Sequence, residues 1–186
     1  MSKQNWADYL ELALEGCQST FKKTSVDNSD KKDLKYLCHD DETKKVYDFD
    51  QYVKKQNLKS NRPASPDAIY LGDKKLYFVE FKNQLEKNID TVNIKNKFES
   101  GTKILQNLLK DYSSSDCKKY FCLVIKNDEI SNPNGFLSRN KNNSVISNPI
   151  KLKLDELNQE NGTFYDAIFV QSVDFYKKEF IDLSCD

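Results

Sequence analysis

Three residues in the stretch "SPDAIYLGDKKLYFVEFKNQ", Ser65 to Gln84, stand out by type and spacing: Asp67, Glu80 and Lys82. The run around them is apolar and alternating, and charged groups in such a run are costly unless they pair or hold a metal. Two carboxylates are what a hard divalent cation asks of a protein, since Mg²⁺ takes one or two of them and keeps several waters. A lysine beside the second carboxylate can contact an attacking water and an anionic group together. The chemistry this set suits is attack on a phosphodiester, whose negative charge repels hydroxide until a cation neutralises it and lowers the pKa of a water.

Such chemistry needs the two carboxylates on one face. Pro63 and Pro66 fit an extended lead-in, after which "DAIYL" and "KLYFVEF" surround a Gly72-Asp73 turn and read as a hairpin. Pairing Leu71 with Leu76 and Ile69 with Phe78 sets apolar residues opposite one another, and continuing outward brings Asp67 opposite Glu80. Period two adds Lys82 to that face and turns Phe81 the other way.

Around the hairpin, Trp6, Leu10, Leu14, Cys17 and Phe21 recur at helical spacing, predicting an amphipathic helix over residues 5 to 22. Glu11 falls at the edge of its apolar face, with Glu15 one turn later. Residues 24 to 43 read as a loop or weak helix, and "KVYDFDQYV" alternates like a strand with one buried face. A helix follows from Ile89 to Tyr112, then a buried strand at "KKYFCLVI". Residues 127 to 163, rich in Asn, Ser and Asp, read as a long irregular connection with at most one short strand near Ile150 to Leu154. A last strand, "YDAIFVQS", precedes a short helical turn. The order is that of an α/β fold with a central mixed sheet flanked by helices: the hairpin is antiparallel, and the helix after it suggests a crossover to a parallel strand.

Pro66-Asp67, a strand-turn interval, then Glu80-Phe81-Lys82 in that element order resembles the PD-(D/E)XK nuclease superfamily, the restriction-endonuclease-like proteins. The motif covers the hairpin, and with the element order the resemblance runs from the first helix to about Lys126. It implies an αβββαβ core and Mg²⁺- or Mn²⁺-dependent hydrolysis of phosphodiester bonds. Asp67 and Glu80 would be metal ligands, joined by the backbone carbonyl of Phe81, and Lys82 would orient water or stabilise charge. Glu11 or Glu15 would take the place of the first-helix glutamate that many members keep, and Gln84 matches a position where some relatives carry a glutamine. Some viral cap-snatching members use an upstream histidine as a ligand, which keeps His39, otherwise read as solvated, a minor candidate.

At 186 residues the chain reads as one domain, residues 1–186. Its formal net charge of +0 means that a nucleic-acid partner would be held by a local patch. Residues 74 to 126 supply one, with eleven lysines against six acidic residues, and Lys87, Lys95, Lys97 and Lys103 could line a phosphate track. Arginine, the commonest reader of guanine edges, occurs only as Arg62 and Arg139, which favours sequence-tolerant cleavage, DNA before RNA. Five cysteines at irregular spacing read as reduced thiols, and Cys38-His39 lacks the further ligands of a zinc site. With no signal-peptide pattern and no membrane-spanning run, a cytosolic address without membrane partner is the expectation. A homodimer would suit an enzyme cutting both strands. The rival reading is a nuclease-like fold without turnover, acting as a protein-binding or immunity-type module.

Overall fold

The computed structural model describes residues 5–27, 34–56, 62–112, 117–126 and 148–179. In chain order its elements are α1 (Trp6–Ala13), β1 (Gln18–Ser19), α2 (Phe21–Thr24), β2 (Val26–Asp27), β3 (Lys35–Tyr36), β4 (Val46–Asp48), α3 (Phe49–Gln56), β5 (Ala68–Gly72) and β6 (Lys75–Lys82). A 3₁₀ turn (Glu86–Asn88) then leads to α4 (Thr91–Leu108), β7 (Lys118–Ile125), α5 (Pro149–Glu160), β8 (Ala167–Ser172) and α6 (Val173–Glu179).

Six strands form one mixed sheet in the order β1-β4-β5-β6-β7-β8, and β2 pairs with β3 beside it. The pairs from β1 to β6 are antiparallel, whereas β6-β7 and β7-β8 are parallel. Parallel pairing requires crossovers, and α4 and α5 supply them. The β5-β6 register pairs Leu71 with Leu76 and Ile69 with Phe78, as apolar alternation demands. The turn itself is Asp73-Lys74, one residue later than expected, with Lys74 at φ 50°.

Alternation splits the sheet between two cores. Ile69, Leu71, Leu76, Phe78, Phe121 and Leu123 pack against α1, α3, α4 and α5. Ala68, Tyr77, Val79, Phe81, Cys122 and Val124 pack against Phe21 of α2, Leu37, Cys38 and α6. The first face, followed along β6 past Phe78, arrives at Glu80 and Lys82.

Several expectations are corrected. The first helix stops at Ala13, since Gly16 at φ 72° turns the chain into β1, and Phe21 begins the separate α2. Of residues 24 to 43, those at 26–27 and 35–36 are strand rather than helix. The strand at "KVYDFDQYV" ends at Asp48, whose Oδ1 accepts from the Gln51 N–H at 2.7 Å and starts α3. The short strand near Ile150 to Leu154 is instead α5, capped by Asn148 through the Lys151 N–H at 3.0 Å, with Pro149 in its first turn. The irregular connection expected before it falls, over residues 127–147, outside the described residues. No helix among the described residues is long and apolar enough to cross a membrane.

Candidate active site

Asp67 precedes β5 by one residue, just past the end of the β5-β6 ladder, its N–H donating to the carbonyl of Val79, the partner of Ala68, at 3.0 Å. One residue beyond the last paired residues, Ala68 and Val79, its carboxylate comes beside Glu80, where the same Lys97 nitrogen contacts both, on the side that α4 covers. The Phe81 N–H donates to Asp67 Oδ2 at 2.8 Å and fixes that carboxylate. Phe81 thus serves the site through its backbone, while its ring packs in the opposite core, 6.3 Å from Phe21.

Helix α4 adds a cation to this pair. Its Lys97 Nζ donates to Asp67 Oδ1 at 3.2 Å and to both oxygens of Glu80, at 2.8 and 2.9 Å. Ile94, Phe98, Gly101 and Leu105 form the buried stripe of α4, and Lys97 lies on the same stripe. A Cβ at Gly101 would meet Pro66 Cδ at 2.5 Å and the Phe78 ring at 3.0 Å. Only glycine lets the helix lie against the residue before Asp67, and Lys97 stands one turn ahead of that contact. Lys82 completes the cluster, its Nζ 2.9 Å from Glu80 Oε1 and 3.5 Å from Asn93 Oδ1.

Two carboxylates and two ammonium groups therefore share one locus. The Glu80 side chain is 0% exposed, against 23% for Asp67, 21% for Lys82 and 20% for Lys97. Burial pushes the Glu80 carboxyl up to about 7, with the neighbouring Asp67 charge acting in the same sense and the two lysines opposing it. Burial likewise raises Asp67. For Lys97 burial works against the charge, but Asp67 and Glu80 outweigh it, and its pKa is raised. Lys97 is thus the firm holder of a proton here.

A polar pocket of about 190 Å³ opens beside the cluster. One wall is Asp67, Phe81, Lys82, Asn83, Gln84 and Lys97, and the other is Thr24, Ser25, Val26 and Asp27 from the α2-β2 segment. Gln84 is therefore brought to the site. Glu11 is not: its Oε1 lies 2.8 Å from Lys45 Nζ, and the Lys45 carbonyl accepts from Leu71, four residues along the hairpin from Asp67. At roughly 3.3 Å per residue that separation is about 13 Å. Glu15 lies exposed in the turn after α1, and His39 is exposed beside Tyr36, their ring centroids 6.4 Å apart. Neither lines the pocket.

Among the described residues no group of three or more His, Cys, Asp or Glu side chains converges. The donor chemistry still fits a hard cation such as Mg²⁺, which accepts one or two carboxylates and completes its shell with water. Sequence reasoning named Lys97 among lysines that could line a phosphate track and missed its place between the carboxylates, and it missed the α2-β2 wall. The signal for Lys97 was present: a lysine at a core position of an amphipathic helix, one turn before a glycine. The chain has no match among protein-family models, curated proteins or solved structures.

Proposed function

We propose that the chain is a divalent-metal-dependent nuclease that hydrolyses phosphodiester bonds of nucleic acid, DNA in preference to RNA. The observation that carries this reading is the juxtaposition of Asp67 and Glu80 beside a polar pocket, with Lys82 and Lys97 against them. The order α1, β4, β5, β6, α4, β7, with α3 inserted between β4 and β5 and the short elements β1 to β3 after α1, supports a restriction-endonuclease-like core, with three antiparallel strands and a fourth reached in parallel through a helix.

Asp67 Oδ1 and the Glu80 carboxylate would hold Mg²⁺ or Mn²⁺, with the Phe81 carbonyl as a third donor. Bound there, the cation supplies neutralisation of the phosphate and a lowered pKa for water. The Lys82 ammonium, kept in place by Glu80 and Asn93, orients water and stabilises charge on the phosphate oxygens. Gln84, on the pocket wall, offers amide hydrogens to the same oxygens.

Plasmid, single-stranded DNA and tRNA incubated with Mn²⁺, Mg²⁺ or EDTA test this. Metal-dependent degradation, fastest on DNA and at least 100-fold slower in Asp67→Ala and Lys82→Ala, is the expected result. Degradation that ignores EDTA or both substitutions would overturn it. The rival module reading draws on one observation, that Lys97 already neutralises the carboxylates. Absence of both metal binding and cleavage would favour it.

A further inference from the structure

We infer that Lys97 is a resident cation that occupies the metal position in the ion-free protein and is released to the substrate phosphate when a divalent ion enters. The inference rests on the nuclease reading and concerns how its site is loaded. A single nitrogen lies within 3.2 Å of Asp67 Oδ1 and of both Glu80 oxygens. Those are the oxygens a divalent ion needs, and Lys97 is the nitrogen that bridges both carboxylates, Lys82 touching Glu80 Oε1 alone, so an ion bound across the two would take the place of the Lys97 ammonium. Entry of an ion therefore competes with Lys97.

The placement is built into the fold. Glu80 is fully buried, so some cation must compensate it, and Gly101 allows α4 to approach closely enough for Lys97 to do so. The exit is also present, since Lys97 lines the open pocket next to the carboxylates and has a flexible four-carbon stem. Release has an electrostatic consequence. With both carboxylates ionised, above the raised range of Glu80, the ion-free cluster balances them with two ammonium groups, whereas the loaded cluster gains two positive charges beside the space a phosphate would fill. Loading the ion thus creates the anion site, and nucleic acid is held productively only after the metal.

Two measurements test the inference with Mn²⁺ as the probe. In calorimetry, Lys97→Met, which keeps the apolar stem and removes the competing charge, is expected to bind Mn²⁺ at least tenfold more tightly than wild type, while cleavage at saturating Mn²⁺ falls about tenfold. Affinity in a cooperatively folding variant that is equal to or weaker than wild type would overturn it. In the wild-type protein, acetic anhydride labelling read by peptide mass spectrometry should rise several-fold at Lys97 when Mn²⁺ is added and stay constant at the exposed Lys44. Unchanged Lys97 labelling with Mn²⁺ bound would overturn the inference even if the variant failed to fold. Wild type binding Mn²⁺ without either effect would remove the inference alone. No binding by either protein would remove the nuclease reading along with it.

Discussion

Glu80 is fully buried, faces a second carboxylate and depends on two lysines. Its carboxyl is pushed up to about 7 from an ordinary 4.5, so the folded protein retains a proton there that the unfolded chain releases. The sign follows: this contribution to stability is complete below about pH 4.5 and is lost as pH rises through 7. Urea unfolding of the ion-free protein should therefore give a falling midpoint between about pH 5 and 8, and Glu80→Gln should flatten that fall. Because the ion needs the carboxylate ionised, Mn²⁺ affinity should rise over the same interval. A midpoint rising with pH in wild type would contradict the assigned direction.

At the scale of elements, α4 decides whether the cluster assembles. Asp90 caps it, accepting from the Val92 and Asn93 N–H groups at 3.0 and 3.1 Å, and Gly101 sets its distance from the sheet. Mid-helix, alanine is favoured over glycine by roughly 1 kcal/mol, but here its methyl would strike Pro66 and Phe78. Gly101→Ala is accordingly expected to destabilise the protein by about 1–3 kcal/mol in urea unfolding, the usual range for overpacking, and to weaken metal-dependent cleavage. A neutral or stabilising outcome would mean that the close approach is not needed. Legibility in the sequence divides along similar lines. The hairpin register was legible because a one-residue slip would expose its whole apolar set. Helix α3 was not, since Val46 to Gln51 also alternates with period two, and the side-chain bond from Asp48 to the Gln51 N–H is what turns strand into helix. Helix α5 was hidden because Asn148-Pro149 reads as a breaker, although asparagine before proline is equally a helix start.

Across the whole molecule, the two faces of the sheet have different tasks. One carries the α4 side of the core and ends in Glu80 and Lys82, while the other holds α2, whose end helps form the opposite wall of the pocket. The hairpin contribution to the site was readable from Asp67, Glu80 and Lys82, but the pocket wall at Thr24 to Asp27 is brought in by tertiary packing that no local pattern encodes. The chain as a whole is electrically neutral, so the proposed nuclease would hold nucleic acid by few phosphate contacts near the site. Duplex binding in Ca²⁺ should weaken as salt is raised, with a slope corresponding to roughly two to four phosphates by fluorescence anisotropy. A salt-independent affinity would point away from a phosphate track. The most direct measurement is calorimetric titration of Mn²⁺ into wild type and Asp67→Ala. Saturable binding heat in wild type that disappears in the variant is the predicted result. Equal heats in the two proteins, or none in wild type, would contradict a metal site between Asp67 and Glu80.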